Sequence, residues 1–533
     1  MIKLEKLSLA IGALPILRDV DLTIQPGKVT GLVGESGSGK SMTALAIMRL
    51  LPELAQAKGR VVLDNFNILD LSERDMCAIR GNRIGMIFQE PMTALNPVRT
   101  IGDQVMETLL IHTDKSRAEA RAIARDKLAR VGLPEDRFPL TRFPHELSGG
   151  QRQRVAIAMA IALSPELLIA DEPTTALDVT TQAQILDLLR DLVRDEGMSL
   201  LLITHDLAVV AGMADHVAVM QKGRIVEQGE TEQLFRHMRH PYTRALLEAS
   251  SHAPARAPTV KPEPLLEVRG AVRDYPLART RLLGPAPKFR AVDGVSFTLN
   301  HGESLGLVGE SGCGKSTLAR AILGLEPLQR GEIRAFGKRV GPGFPNSLKA
   351  GIQVVFQDPY GSFNPRWKVA RLVAEPMHLL ATRPADWRDR VARALRDVGM
   401  EPDAMDRYIH EFSGGQRQRI AIARALILKP EIIVLDEAVS ALDVSVRAQV
   451  LDLLAGLQAE YGLAYLFISH DLTVVRAITD RVLVMRAGKI VEEGETATVF
   501  ANPQHPYTRE LIKAAPVIPA EWKVEEHGQA PVV

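Results

Sequence analysis

The sequence predicts an α/β protein in which one module occurs twice in tandem. Within each half, short apolar runs alternate with longer stretches of helical periodicity, which is typical of a largely parallel sheet flanked by helices. Two glycine-rich segments, GESGSGKS at 34–41 and GESGCGKS at 309–316, both fit the pattern G-x-x-x-x-G-K-[ST]. Four further pairs of residues keep one constant spacing along the chain: Ser148 and Ser413, Asp171 and Asp436, His205 and His470, and Tyr242 and Tyr507. An internal repeat of this kind indicates two domains of the same fold.

Length and composition are those of an ordinary globular protein. At 533 residues the chain exceeds what one hydrophobic core usually serves, and 46% hydrophobic with 24% charged residues is typical of folded domains. A net charge of +1 gives no reason to expect a nucleic-acid partner, and Cys77 and Cys313 are too few for an iron–sulfur cluster. We expect no signal peptide and no membrane span, since no run of about 18 apolar residues occurs. A role at a membrane would therefore require other chains that span it.

Each glycine-rich segment lies between a short apolar run and a helical pattern, which for the first copy are residues 29–33 and 42–51. This is the setting of a P-loop, in which backbone N–H groups and the N-terminus of the following helix point at phosphate groups. The lysine reaches the β and γ phosphates, the serine hydroxyl binds Mg²⁺, and glycines allow the backbone to approach closely. Two nucleotide-binding loops are therefore predicted, formed by Gly34, Glu35, Ser36, Gly37, Ser38, Gly39, Lys40, Ser41 and Met42, and by Gly309, Glu310, Ser311, Gly312, Cys313, Gly314, Lys315, Ser316 and Thr317.

Domain boundaries follow from the repeat and from composition. We assign residues 1–250 to the first domain, 265–515 to the second and 516–533 to a C-terminal tail. Residues 251–264, SHAPARAPTVKPEP, are rich in proline and alanine, so we expect a semi-rigid, extended linker. In the first domain, residues 116–131 place apolar side chains near helical spacing, which indicates an inserted helical layer.

Two signature segments complete the set of motifs. LSGGQ at 147–151 and FSGGQ at 412–416 each precede an apolar strand, at 167–170 and 432–435, that ends in Asp-Glu. An SGGQ segment alone could be a helix N-cap followed by a glycine turn. P-loop, SGGQ and apolar-Asp-Glu, in this order and twice, resemble the nucleotide-binding domains of ABC ATPases over nearly all of both halves. The resemblance implies ATP hydrolysis with Mg²⁺, and for each half a RecA-like core, an antiparallel β subdomain and an inserted helical subdomain.

The resemblance also implies roles for single residues. Glu172 and Glu437 would be general bases that polarise the attacking water, and His205 and His470 would contact the γ phosphate. The Mg²⁺ sites would comprise Ser41, Gln89 and Asp171 in one half and Ser316, Gln357 and Asp436 in the other. Each signature would complete the nucleotide site of the opposite half: Ser148, Gly149, Gly150 and Gln151 for one site, and Ser413, Gly414, Gly415 and Gln416 for the other. ATP-dependent closure of the two halves would then drive the transport cycle.

The two halves depart from the family pattern at two positions. Family members place an aromatic residue before the P-loop to stack on adenine, and Tyr275 fits this role, but Ile11 stands at the matching position of the first half. Since stacking contributes about 1 kcal/mol, we expect weaker nucleotide binding at the Lys40 site. Ala438 replaces the proline that follows the acidic pair in the first half, Pro173. Both glutamates are present, so two hydrolytic sites are expected.

Three further features resemble those of peptide importers. Residues 90–97 and 358–365, after the two glutamines, resemble importer ATPases, and His-Pro-Tyr-Thr-Arg at 240–244 and 505–509 is a hallmark of the oligopeptide, dipeptide and nickel importer group. Physically, this pentapeptide could be no more than a helix start with proline in the first turn. The basic segment with Arg279, Arg281, Lys288 and Arg290 resembles the second ATPase of paired systems, although such a run is often a solvated face.

The whole chain thus resembles two fused importer ATPases of the Yej type. The resemblance implies two integral-membrane permease subunits and a periplasmic peptide-binding protein as partners, and a peripheral location on the cytoplasmic face of the inner membrane. A glutathione or nickel importer ATPase is an alternative, as is an exporter ATPase. A soluble tandem-ABC translation factor acting on the ribosome is an alternative of another class, but such factors carry a long charged helical linker. This sequence does not indicate which peptide is transported, because substrate selectivity resides in the partner chains.

Overall fold

The computed structural model describes residues 1–89, 94–175, 177–256, 260–277, 287–341, 343–358, 361–440 and 442–522. The described residues form two compact units. One comprises Met1–Leu177, Thr181–Ser250 and the described tail residues 516–522, and the other comprises Asp178–Thr180 and Ser251–Ala515. Outside the described residues lie Arg279 and Arg281, parts of the two importer-like segments (90–93 and 359–360), linker residues 257–259 and the tail beyond 522.

The first unit contains two sheets. Its strands are β1 (Ile2–Ile11), β2 (Leu14–Ile24), β3 (Val29–Val33), β4 (Ala55–Leu63), β5 (Phe66–Asn67), β6 (Ile84–Ile87), β7 (Leu167–Asp171), β8 (Ser199–Thr204), β9 (His216–Gln221) and β10 (Arg224–Glu230). A four-stranded antiparallel sheet has the order β2-β1-β4-β5, and a six-stranded sheet has the order β10-β9-β3-β8-β7-β6. In the larger sheet, pairing is parallel from β9 to β6 and antiparallel between β9 and β10.

Helices of the first unit lie on both faces of the larger sheet. They are α1 (Lys40–Ile47), α2 (Glu73–Ile79), α3 (Ile101–His112), α4 (Arg117–Arg130), α5 (Gly149–Ala160), α6 (Val179–Glu196), α7 (Leu207–Met213), α8 (Thr231–Arg236) and α9 (Pro241–Ser250). The predicted helix at 116–131 is α4, which Ser116 and Glu119 begin with a reciprocal capping box. Side chains of α3, α4 and α5 share one core with β7 and β8, whereas the antiparallel sheet shares another with α1.

The second unit repeats this arrangement. Its strands are β11 (Lys261–Pro276), β12 (Lys288–His301), β13 (Ser304–Val308), β14 (Arg330–Ala335), β15 (Lys338–Arg339), β16 (Ile352–Val355), β17 (Ile432–Asp436), β18 (Ala464–Ile468), β19 (Arg481–Arg486) and β20 (Lys489–Glu495). Its helices are α10 (Lys315–Ile322), α11 (Asn346–Lys349), α12 (Val369–Val373), α13 (Trp387–Asp397), α14 (Gly414–Leu426), α15 (Val444–Tyr461), α16 (Leu472–Ile478), α17 (Thr496–Ala501) and α18 (Pro506–Ala514). The sheets have the orders β12-β11-β14-β15 and β16-β17-β18-β13-β19-β20.

The predicted fold, a RecA-like core with an antiparallel β subdomain and an inserted helical subdomain, is confirmed in each unit. The central strands β3 and β13 are buried at every residue, as is typical of strands in a parallel sheet that is covered on both faces. Because the carboxyl ends of parallel strands meet at one edge of a sheet, the segments that follow β3, β6, β7 and β8 come together there. The same holds for β13, β16, β17 and β18. None of the helices in the described ranges is long and apolar enough to cross a lipid bilayer.

The segments that follow the two C-terminal helices, α9 and α18, make defined contacts. Arg256, in the predicted linker, places Nη2 3.0 Å from both carboxylate oxygens of Asp480 in the second unit. Residues 261–264 of that linker are the first residues of β11. In the tail, the Trp522 ring lies 6.1 Å from the Phe235 ring in the first unit, and Arg236 Nη1 donates to the carbonyl oxygen of Glu521 at 2.8 Å.

Candidate active site

The first glycine-rich loop connects the buried strand β3 to the helix α1. Gly34 has a φ of +159°, and a Cβ at this position would lie only 2.2 Å from the carbonyl oxygen of Met220. Gly39 follows with a φ of +109° and serves as the left-handed N-cap of α1. Glycine is therefore required at both ends of the loop, because a side chain would clash at the first position and strain the backbone at the second.

Lys40 and Ser41 lie at the first turn of α1. Lys40 is 5% exposed, and its Nζ donates to the carbonyl oxygens of Gly34 at 2.7 Å and Glu35 at 2.9 Å. The Ser41 hydroxyl donates to Asp171 Oδ1, at the end of β7, at 3.1 Å. The loop thus wraps around a buried ammonium group, and a serine and an aspartate oxygen lie next to it.

Glu172 is the centre of a hydrogen-bonded cluster. Its Oε2 accepts hydrogen bonds from Gln89 Nε2 at 2.9 Å and Thr175 Oγ1 at 3.0 Å. Its Oε1 lies 3.5 Å from Nδ1 of His205. The backbone at Glu172 has a φ of +47°, and its N–H donates to Ile203 O at 2.9 Å. A left-handed conformation at a non-glycine residue costs free energy, and such positions cluster at functional sites.

The two adjacent carboxyl groups have opposite pKa shifts. Burial raises the pKa of Asp171 to about 6, and the charge of Glu172 adds to this effect against the hydrogen bond from Ser41. Burial also acts to raise the pKa of Glu172, but the hydrogen bond and charge of His205, together with the Thr175 hydroxyl, outweigh it and lower the pKa to about 2. Glu172 therefore stays ionised and held by donors, which suits a group that orients and polarises a water molecule.

The second unit reproduces this constellation. Lys315 is 5% exposed, and its Nζ donates to Gly309 O at 2.7 Å and Glu310 O at 2.8 Å. Glu437, with a φ of +51°, accepts a hydrogen bond from Gln357 Nε2 at 2.6 Å, and its Oε1 lies 3.2 Å from Nδ1 of His470. The pKa of Asp436 is raised by burial and by the neighbouring glutamate. Burial acts to raise the pKa of Glu437, but the hydrogen bond and charge of His470 outweigh it and lower the pKa.

The two sites differ in how the glutamate is held. Thr175 donates to the carboxylate of Glu172, but the hydroxyl of its counterpart Ser440 donates to the backbone carbonyl oxygen of Glu437 at 2.9 Å. Sequence reasoning did not select Thr175, although a hydroxyl three residues after a catalytic glutamate was a signal that could have done so. The loops also differ, because Cys313 stands where the first loop has Ser38.

The signature residues begin helices α5 and α14. Ser148 Oγ accepts from the backbone N–H of Gln151 at 3.3 Å, and Gln151 Oε1 accepts from the N–H of Ser148 at 3.0 Å. Ser413 and Gln416 form the same capping box at 3.4 and 3.0 Å. In each signature the two glycines lie in the first turn of the helix, Gly149 and Gly150 in α5 and Gly414 and Gly415 in α14. The N-cap reading of SGGQ is therefore physically correct, and its predicted role at the opposite nucleotide site stays a prediction.

Comparison with known proteins identifies the family. The model of the ABC transporter family matches residues 17–175 and 292–440, which together are more than half of the chain. This chain belongs to the ABC transporter family. The model of the C-terminal region of oligopeptide/dipeptide transporters matches residues 226–267 and 491–532, which follow the two ABC transporter matches.

Relatives of this ABC ATPase match over more than nine tenths of its length. The glutathione import ATP-binding protein GsiA of Escherichia coli (strain K12) is 48% identical, over 94% of this chain and 86% of GsiA. The peptidoglycan transport ATP-binding protein YejF of Agrobacterium fabrum (strain C58) is 51% identical, over 93% of this chain and 92% of YejF. A dimeric structure of the ATP-binding cassette MJ0796 bound to ADP and Pi is 32% identical over 43% of this chain and 99% of that chain, with a TM-score of 0.39.

The residues of the first site fit the nucleotide and the metal ion that ABC ATPases use. Ser38 Oγ is buried within the loop and has no hydrogen-bond partner among the described residues. Ser41 Oγ and Asp171 Oδ1 form a pair of adjacent hard oxygen donors, which is the donor type that Mg²⁺ prefers. The raised pKa of Asp171 reflects a buried carboxylate that a nearby cation would stabilise.

Tyr275, the predicted adenine-stacking residue, lies near the end of β11. Its hydroxyl donates to Glu326, and the guanidinium of Arg273 lies 4.8 Å from the centre of its ring. Its cross-strand partner is Phe289, which is 49% exposed. The guanidinium of Arg273 thus already covers one face of the tyrosine ring. The expectation of weaker nucleotide binding at the Lys40 site, which has Ile11 in place of the tyrosine, stays a prediction.

Proposed function

We propose that this chain is the ATP-hydrolysing subunit of an ABC importer for peptides or peptide-like compounds. The observation that carries the proposal is the oligopeptide/dipeptide transporter C-terminal region, which matches at the C-terminal end of both ATPase halves. Two relatives support it, because one is named for glutathione import and the other for peptidoglycan transport, and both cargoes contain peptide bonds. A nickel importer remains a second candidate on the His-Pro-Tyr segments alone.

The proposed hydrolysis uses the residues described above, in the same way in each unit. The P-loop backbone and Lys40 bind the phosphates, while Ser41 and Asp171 would hold Mg²⁺, which supplies positive charge for the leaving phosphates. Glu172 orients and polarises the attacking water. Gln89 and His205 contact that carboxylate and fix its direction, so that the lone pair of the water points at the γ phosphate. Such positioning of a water by a general base contributes about 10²–10⁴-fold to the rate.

Two permease subunits and a periplasmic substrate-binding protein are the proposed partners, with the ATPase on the cytoplasmic face of the membrane. The ATPase itself does not select the cargo, because fold and hydrolysis chemistry are common to transporters of many substrates. ATP binding and hydrolysis are proposed to drive the permeases, which form the path across the membrane.

The first test is affinity purification of the tagged full-length chain from detergent-solubilised cells, followed by mass spectrometry. The proposal predicts that two multi-spanning permeases copurify with the wild-type chain. Ribosomal proteins without permeases would contradict it and favour the translation-factor alternative. A second test measures uptake of labelled tripeptide, glutathione and Ni²⁺ in cells with and without the gene. Loss of Ni²⁺ uptake alone would refute a peptide cargo.

A further inference from the structure

The tyrosine of each His-Pro-Tyr-Thr-Arg segment contacts the P-loop of its own unit. In the first unit, the backbone N–H of Glu35 donates to the Tyr242 hydroxyl oxygen at 3.1 Å. In the second unit, the N–H of Glu310 donates to the Tyr507 hydroxyl oxygen at 3.0 Å. The same contact therefore occurs twice, between residues that are about 200 positions apart in the chain.

This contact holds a peptide group that the P-loop lysine also holds. The carbonyl oxygen of Gly34 accepts from Lys40 Nζ at 2.7 Å, and the N–H on the other side of the same peptide bond belongs to Glu35. Gly309 and Lys315 repeat the arrangement at 2.7 Å. The first peptide group of each loop is thus fixed at its oxygen by the phosphate-binding lysine and at its N–H by the tyrosine. Its rotation would move both the lysine and the loop backbone.

The rest of each segment places the tyrosine. His240 and His505 cap helices α9 and α18, since Nδ1 of each accepts from the backbone N–H of the tyrosine two residues later, at 3.2 and 3.1 Å. Proline is the first residue of both helices. The carboxylate of Glu227 in β10 accepts from the N–H of Arg239 at 2.7 Å and of His240 at 3.3 Å. The turn is therefore held by hydrogen bonds on both sides of His240, at the start of the helix that carries the tyrosine.

We propose that Tyr242 and Tyr507 are positioning residues of the two P-loops and increase their affinity for nucleotide. The histidine, proline and tyrosine act together: the first two begin the helix, and the third holds the loop in the shape that receives phosphates. This role depends on ATP binding, a property of the family, and is independent of which substrate is transported.

The two tyrosines differ in their surroundings. Tyr507 is 1% exposed, and the guanidinium of Arg486 lies 4.6 Å from the centre of its ring. Tyr242 is only half-buried, and the residue that corresponds to Arg486 is Gln221. Hydrogen bonds are stronger away from water, so the second P-loop depends more on its tyrosine than the first.

The test replaces both hydroxyls in the full-length chain, as Tyr242→Phe/Tyr507→Phe, and measures binding of a fluorescent ATP analogue. We expect the Kd to rise about three- to tenfold, the loss typical of one neutral hydrogen bond, with KM rising similarly and kcat changing less than about twofold. The matched control is Tyr465→Phe, which removes a fully buried hydroxyl that donates to Leu454 O at 2.9 Å, away from the P-loop. It should lower the melting temperature without changing the Kd.

Hydrogen exchange gives a second readout that does not depend on turnover. In nucleotide-free protein, peptides that contain the two P-loops should exchange faster in the double variant than in wild type, and at the wild-type rate in Tyr465→Phe. An unchanged Kd in a folded double variant would overturn the proposal, as would an equal rise in Kd in the control. If the double variant fails to fold, the single Tyr242→Phe variant, at the half-buried tyrosine, decides by the same Kd criterion.

Discussion

Removing the Thr175 hydroxyl, as in Thr175→Val, tests whether Glu172 acts through its orientation. The hydroxyl donates to Glu172 Oε2 at 3.0 Å, and Gln89 shares this oxygen at 2.9 Å. A hydrogen bond to a charged group is worth about 1.5–3 kcal/mol. Since Gln89 remains and Thr175 is only half-buried, we take the lower limit, ~1.5 kcal/mol, which corresponds to about tenfold slower hydrolysis at this site. Loss of this donor also raises the pKa of Glu172, and a more basic carboxylate alone would not slow the reaction.

The assay is steady-state phosphate release by the purified full-length chain. If the two sites turn over independently, Thr175→Val lowers total turnover to about half; if they are coupled, it lowers turnover to about a tenth. The matched control is Ser440→Ala, because that hydroxyl bonds to a backbone oxygen and not to the carboxylate of Glu437. Turnover of Thr175→Val at or above the wild-type value would refute the reasoning, and so would an equal loss in the control.

Three further predictions concern the P-loop, the linker and the tail, and the first two include a matched control. Gly34→Ala places a Cβ 2.2 Å from a backbone oxygen and should abolish nucleotide binding, whereas Gly37→Ala, with nothing within 4 Å, should cost only about 1–2 kcal/mol of backbone strain in thermal unfolding. Arg256→Ala breaks a largely buried ion pair and should destabilise the second unit by about 1–3 kcal/mol in urea unfolding, while His252→Ala, in a more exposed pair, should cost less than about 1 kcal/mol. Trp522→Ala should destabilise the first unit by about 1–2 kcal/mol in the same assay, and no change would exclude tail docking.

Much of the fold was predictable because its signals are local. The apolar runs before Asp171 and Asp436 are strands, and helix α4 begins where Ser116 and Glu119 form a capping box. Pentapeptides that begin with His-Pro do start helices α9 and α18, as proline in the first turn allows. Each of these features depends on neighbours within a few residues.

Other features depend on residues far apart in the chain and leave no local signal. The contact between Tyr242 and Glu35 forms because α9, far along the chain, returns to the loop that follows β3. Likewise, the left-handed backbone of Glu172 reflects the hydrogen bond from its N–H to Ile203, on the neighbouring strand. The composition of the predicted linker also could not show that Arg256 pairs with Asp480, because the two residues are far apart in the sequence.

The most direct test of the account is phosphate release by the double variant Glu172→Gln/Glu437→Gln, compared with each single variant and the wild type. Glutamine keeps the size of the side chain but cannot accept a proton, and a general base contributes about 10²–10⁴-fold to the rate. The account predicts that each single substitution lowers turnover to half or less, and that the double variant binds ATP but releases almost no phosphate. A double variant that hydrolyses ATP at the wild-type rate would contradict the assignment of both sites.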